Sequence, residues 1–126
     1  MRITRIIVAL ILVLILAFAM TACSSTKYPM SEQHEKYGRK ALEIVDAYLD
    51  FDLTAEEAYK KLDSLCDAEG TLPEPKNKDE EHGDTMIRLT VSNLRYDLRK
   101  AYYDGKTDGI LEQRNKIADL LGVKQR

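Results

Sequence analysis

"DTMIRLTVSNLRYDLRKAYYDGKT", residues 84–107, is the stretch whose reading decides the fold. Ile87, Val91, Leu94, Leu98, Ala101 and Tyr102 recur every three or four residues, the spacing of one helical face, which predicts a helix from about Asp84 to Asp104. Gly105 then reads as a stop and Thr107 as the cap of a further helix. Ile110, Leu111, Ile117, Ala118 and Leu121 form that helix's apolar side, and Gly122 ends it. Two helices joined by "YYDGKT" make a hairpin.

The same logic works backwards along the chain. Thr54 followed three residues later by Glu57 is a capping box, opening a helix that carries Ala58, Tyr59, Leu62, Leu65 and Cys66 and closes at Gly70 in a left-handed turn. Ahead of it, Ser31 caps a helix to about Asp50 with Tyr37, Ala41, Ile44, Val45 and Tyr48 on one face. Between the hairpins, "GTLPEPKNKDEEHG", residues 70–83, has two prolines, many charges and no apolar period, and reads as a solvated loop. No strand signal occurs. The expected fold is all-α, a small bundle of three to four helices built from two helical hairpins over residues 31–126, after an N-terminal signal segment.

That segment is residues 1–22. Arg2 and Arg5 supply a positive start, Ile6 to Met20 is an apolar stretch, and Met20-Thr21-Ala22-Cys23 ends it in small residues and a cysteine. It resembles a bacterial lipoprotein signal, whose lipobox places an apolar residue and two small ones before an obligatory cysteine. The resemblance implies cleavage between Ala22 and Cys23, a diacylglyceryl group on the Cys23 sulfur, and a protein held by membrane lipid outside the cytoplasmic membrane, or in the periplasm or outer membrane of a two-membrane envelope. Two acyl chains give stable anchoring where one does not. Residues 23–30 form the lipidated cysteine and a short tether, whose seven residues from Cys23 to Ser31 span at most roughly 25 Å.

Removing residues 1–22 leaves 104 residues, one domain's worth. With Cys23 lipidated, Cys66 has no partner for a disulfide, and its place on the stripe of Ala58, Leu62 and Leu65 makes it a core residue. The acidic excess argues against nucleic acid. Residues 32–84 hold 16 acids and 7 bases, residues 85–126 hold 5 acids and 9 bases, so the two halves are expected to pack with complementary fields.

Chemical motifs fall away on inspection. "HEKYG", residues 34–38, begins like the zinc pattern H-E-x-x-H but has Gly38 where the second imidazole belongs, so His34 reads as a solvated first-turn residue, and His82 as a solvated loop residue. "DFDLTAEEAYKK", residues 50–61, lacks the glycine and the bidentate glutamate of a calcium loop, with Ala55 and Lys61 in their places. There is no Gly-rich phosphate loop and no G-x-S-x-G elbow. No catalysis, metal or cofactor is expected.

One pattern exceeds a single buried face. Leu89, Tyr96 and Tyr103 line up opposite the Ile87–Leu98 stripe, with Arg88, Arg95 and Arg99 between. Either the helix is central and both faces are covered, its arginines paired to acids of the first two helices, or the second face is a contact surface for a protein partner or a second copy, since tyrosine and arginine beside leucine are enriched at interface centres. The expected function is that of a binding or interaction module, the alternatives being a structural accessory protein of the envelope or a small hydrolase.

Overall fold

The computed structural model describes residues 26–126. Residues 1–22 and Cys23 lie outside the described residues. Four helices follow in order: α1 (Glu32–Leu49), α2 (Ala55–Asp67), α3 (Lys78–Asp104) and α4 (Ile110–Leu121), with a 3-10 turn, Ala68–Thr71, extending α2. Among the described residues there is no strand, and the fold is the expected all-α bundle, with four helices where three to four are expected. α1 and α3 pack on each other and each packs on both remaining helices, so α2 and α4 flank a central pair. Ala41, Val45, Ala58, Leu62, Ile87, Val91, Leu94, Leu98, Ile117 and Leu121 are wholly buried between them. At the crossing of the central pair Gly38 abuts the Ile87 side chain, which any larger residue would displace.

Local signals account for most boundaries. Ser31 Oγ accepts from the His34 N–H, and Thr54 and Glu57 exchange both bonds of the capping box. Gly105 ends α3 in the left-handed region at φ 67°. Three boundaries differ from the sequence reading. α2 ends at Asp67, and its chain tightens into the 3-10 turn, leaving Gly70 outside the left-handed region. α4 starts at Ile110 behind a left-handed Gly109, without a side-chain cap from Thr107, and a Cβ at Gly109 would stand 2.8 Å from the Asp97 carboxylate.

The third difference is the largest. α3 begins at Lys78, not near Asp84, with Asn77 accepting from the Glu80 N–H at 2.9 Å. Asp79, Glu80 and Glu81 fill its first turn, where carboxylates favour the positive end of the helix dipole. The extra turn packs against the tether. Gly83 is buried under the Pro29 backbone, with no room for a Cβ, and the Tyr28 ring stands edge-on to His82 at 4.6 Å. Lys27 N–H donates to Leu120 O at 3.0 Å, while its ammonium meets Asp119 at 2.8 Å. Residues 27–30 are therefore docked on α3 and α4.

Candidate functional site

α3 is long enough, at 27 residues, to show two faces along the whole bundle. Residues seven apart on a helix return to nearly the same side. Leu89, Tyr96 and Tyr103 do so on the outside, where they are 55%, 61% and 63% exposed, while Leu94 and Leu98 opposite them are wholly buried. The second face of α3 is therefore open among the described residues.

The arginines divide between the two expected roles. Arg95 Nη1 lies 3.3 Å from Asp63 Oδ1 on α2, and Arg88 Nε 3.8 Å from Glu69 Oε1 of the 3-10 turn. Arg99 instead stands over the Tyr103 ring, 5.7 Å from its centroid. Lys100 lies 5.1 Å from the centre of the Tyr96 ring and 3.4 Å from Asp97 Oδ1. Such cation–ring contacts attract a cation to one ring face, and both rings remain more than half exposed. Between α2 and α3 these groups border a polar hollow of about 490 Å3 that includes Tyr59, Asp63, Asn93, Arg95, Tyr96 and Arg99. Tyr59, Tyr102 and Tyr103 form an aromatic cluster beside it, with ring centres 4.5 to 6.2 Å apart.

Two polar centres lie deep in the bundle, and neither was legible as such. His34, read as solvated, is fully buried. Arg88 Nε donates to its Nε2 at 2.9 Å, and since a guanidinium only donates, Nε2 is the acceptor and the ring proton sits on Nδ1. Nδ1 faces Ser31 Oγ and, at 3.3 Å, Asp84 Oδ2, while Asp84 Oδ1 accepts from the Ser31 N–H at 2.9 Å. Burial pushes the His34 pKa down, against the pull of the Asp84 carboxylate. Serine, histidine and aspartate meet here, but both oxygens crowd one ring nitrogen, Arg88 holds the other, and the group is sealed from solvent. It fastens the start of α1 to α3. His82 is exposed, as expected.

The second centre is Arg114, 5% exposed, which forks onto Asp46 at 2.8 and 3.2 Å and donates to Lys124 O at 2.8 Å. Burial alone would raise the Asp46 carboxyl, but the Arg114 and Arg126 guanidiniums outweigh it and hold it below the ordinary carboxylate range. Arg126 also pairs with Asp50. The arginines at 88, 95, 114 and 126 thus reach across to acids of the first half, which is the complementary packing the charge asymmetry predicts. Its signal in the sequence was Arg114's place on the stripe of Ile110, Ile117 and Ala118. Leu111, assigned to that stripe, is instead 47% exposed. Cys66 is half-buried, accepts from the Tyr37 hydroxyl at 3.6 Å, and has its thiol pKa raised by burial, which disfavours a reactive thiolate.

Among the described residues no helix is long and apolar enough to cross a membrane, and no three potential metal ligands converge. No family model, curated protein or solved structure matches the chain.

Proposed function

We propose that the chain is a bacterial lipoprotein, anchored through a diacylglyceryl group on Cys23, whose helical domain is a non-catalytic interaction module at the extracytoplasmic membrane face. The observation that carries the interaction role is the open face of α3. Single exposed apolar residues are ordinary, but Leu89, Tyr96 and Tyr103 share one line and are flanked by Arg95, Arg99 and Lys100, and Tyr96 borders a hollow with Arg95 and Arg99. The lipobox carries the anchor. With Lys27 already hydrogen-bonded to α4, four residue steps separate Cys23 from the packed domain, at most about 14 Å. A lipid at Cys23 would seat the bundle directly on the membrane surface.

Mass spectrometry of the mature protein tests the anchor: the expected N-terminus is a lipid-modified Cys23, and Cys23→Ala should accumulate as unprocessed precursor. Tyr96→Ala with Tyr103→Ala tests the face. The double variant should lose its cross-linked neighbours in intact cells with thermal unfolding unchanged; loss of neighbours only together with unfolding would reduce the tyrosines to a packing role.

A further inference from the structure

Phe51 stands where α1 turns back toward α2. Its N–H donates to Tyr48 O at 3.1 Å and the Asp52 N–H to Ala47 O at 2.8 Å, the bond pair of a Schellman turn, which puts Phe51 in the left-handed position that glycine usually holds. Its φ is 64°, and it is the only non-glycine residue among those described with positive φ. Its ring is 95% exposed. A phenylalanine here is unfavourable for the backbone and again for the ring in water, and no contact within the molecule offsets either. Residues held against local preference with no internal return point to a function outside the fold.

The surroundings indicate the chemistry of what it meets. Phe51 edges an apolar hollow of about 610 Å3 at the end of the bundle where both hairpin turns lie, floored by Tyr48, Leu53, Ile110 and Leu111, and the charged residues lining it are Asp52 and Glu57. Asp52, Asp104 and Asp108 have no ion-pair partner among the described residues, and Lys106 is the sole base of the two turns. This pole is apolar with an acidic rim. It would repel an anionic lipid surface, and it fits a basic, aromatic one.

Such a surface exists on the same chain. The α3 face offers Tyr96 and Tyr103 beside three cations; Arg95 and Lys100 are paired with Asp63 and Asp97, and Arg99 has no acid partner among the described residues and carries the free positive charge. We propose that the Phe51 pole of one copy docks on the Tyr96–Arg99 face of a second copy. The Phe51 ring packs on the exposed Tyr96 ring at the rim of the polar hollow, and the Asp52 carboxylate meets Arg99. This rests on the reading of the α3 face as a docking surface and names its occupant. The two patches differ, so the contact is head to side and each copy keeps one free patch. An aromatic knob with a few charges buries far less than the roughly 1,200 Å2 of a stable interface, so the association is weak and depends on crowding copies together.

The experiment uses the full-length chain in its own cells, with a benzoylphenylalanine photocross-linker at position 51. The expected product has twice the chain's mass, its adduct maps to residues 92–99, and Tyr96→Ala with Tyr103→Ala in the receiving copy reduces it at least about ten-fold. Without the photoprobe, a lysine-reactive cross-linker between two differently tagged copies should show Phe51→Gly reducing the dimer similarly, and Phe51→Trp retaining it. Coexpressing Phe51→Gly with the tyrosine double variant should restore a one-to-one dimer, because each lacks only one patch. Adducts at 51 that map elsewhere, or a dimer indifferent to Phe51→Gly, would overturn the inference. If position 51 links to nothing while the tyrosine variant loses a different protein, the inference falls and the α3 face still stands as a binding surface. No arm depends on the lipid at Cys23.

Discussion

The tether end and the turn end of the bundle both bury polar groups against α1, by opposite electrostatic means. At the tether end a neutral imidazole is passed between Arg88, Ser31 and Asp84, and burial keeps its proton count fixed at neutral pH. At the turn end a charged guanidinium, Arg114, is compensated by Asp46 and shares it with Arg126. A buried neutral imidazole is destabilised when it is protonated, and a buried ion pair when one partner is lost. The two ends also treat their backbones differently. Gly83 yields space for the tether, while Phe51 occupies a place that suits glycine.

Asp46→Ala should have the largest effect, since it strands the buried Arg114 charge. A loss of about 3 kcal/mol is expected, read by urea unfolding at neutral pH. Conservation of stability in that variant would mean that Arg114 finds solvent and that the turn end has no true ion pair. Gly83→Ala acts at the other end. The methyl drives Pro29 off α3, costing about 2 kcal/mol as an overpacked contact, and amide exchange at Ser31 should quicken. Equal protection in variant and parent would show that the tether is not held there.

Acid separates the ends most sharply. His34, lowered by burial, is faced by the Asp84, Glu69 and Glu80 carboxylates and the Arg88 guanidinium. The unfolded chain takes up the histidine proton as pH falls through about 6.5, and the folded chain resists it, so stability is complete above that range and declines below it by up to about 1.4 kcal/mol per pH unit. His34→Asn should flatten this slope. Asp46, held low by its arginines, contributes fully above the ordinary carboxylate range and fades as pH drops from that range through its lowered folded value. Two separate acid phases are therefore expected in stability measured against pH. The smallest effect has the opposite sign: Phe51→Gly should raise stability by about 1 kcal/mol, by relieving the left-handed strain, whereas Gly105→Ala should lower it by a similar amount. A fall in melting temperature for Phe51→Gly would mean that the ring packs internally after all.

Sequence periodicity reached the core because Ile87, Val91, Leu94 and Leu98 have no other stable place than a buried stripe. It failed where a residue's partner was distant in the chain. His34 reads as a solvated first-turn residue once Gly38 denies it a second imidazole, and nothing near it announces Arg88 and Asp84, fifty or more residues on. The first turns of α3 were read as loop because they bury a glycine against the tether, and that leaves no apolar period to see. Leu89, Tyr96 and Tyr103 were legible as a line, but whether the line is covered depends on where α2 and α4 lie.

By itself the sequence determined four helices, their two hairpins and most of the core, because capping and the burial of an apolar stripe are local or periodic properties. The proposed anchor at Cys23 likewise rests on the residues from Met20 to Cys23 alone. Only the tertiary structure decided that α1 and α3 form the central pair, that His34 and Arg114 are interior, that the tether is docked, and that one face of α3 and the Phe51 ring remain in water. Burial is a property of neighbours brought together by folding, and no single segment encodes what will cover it.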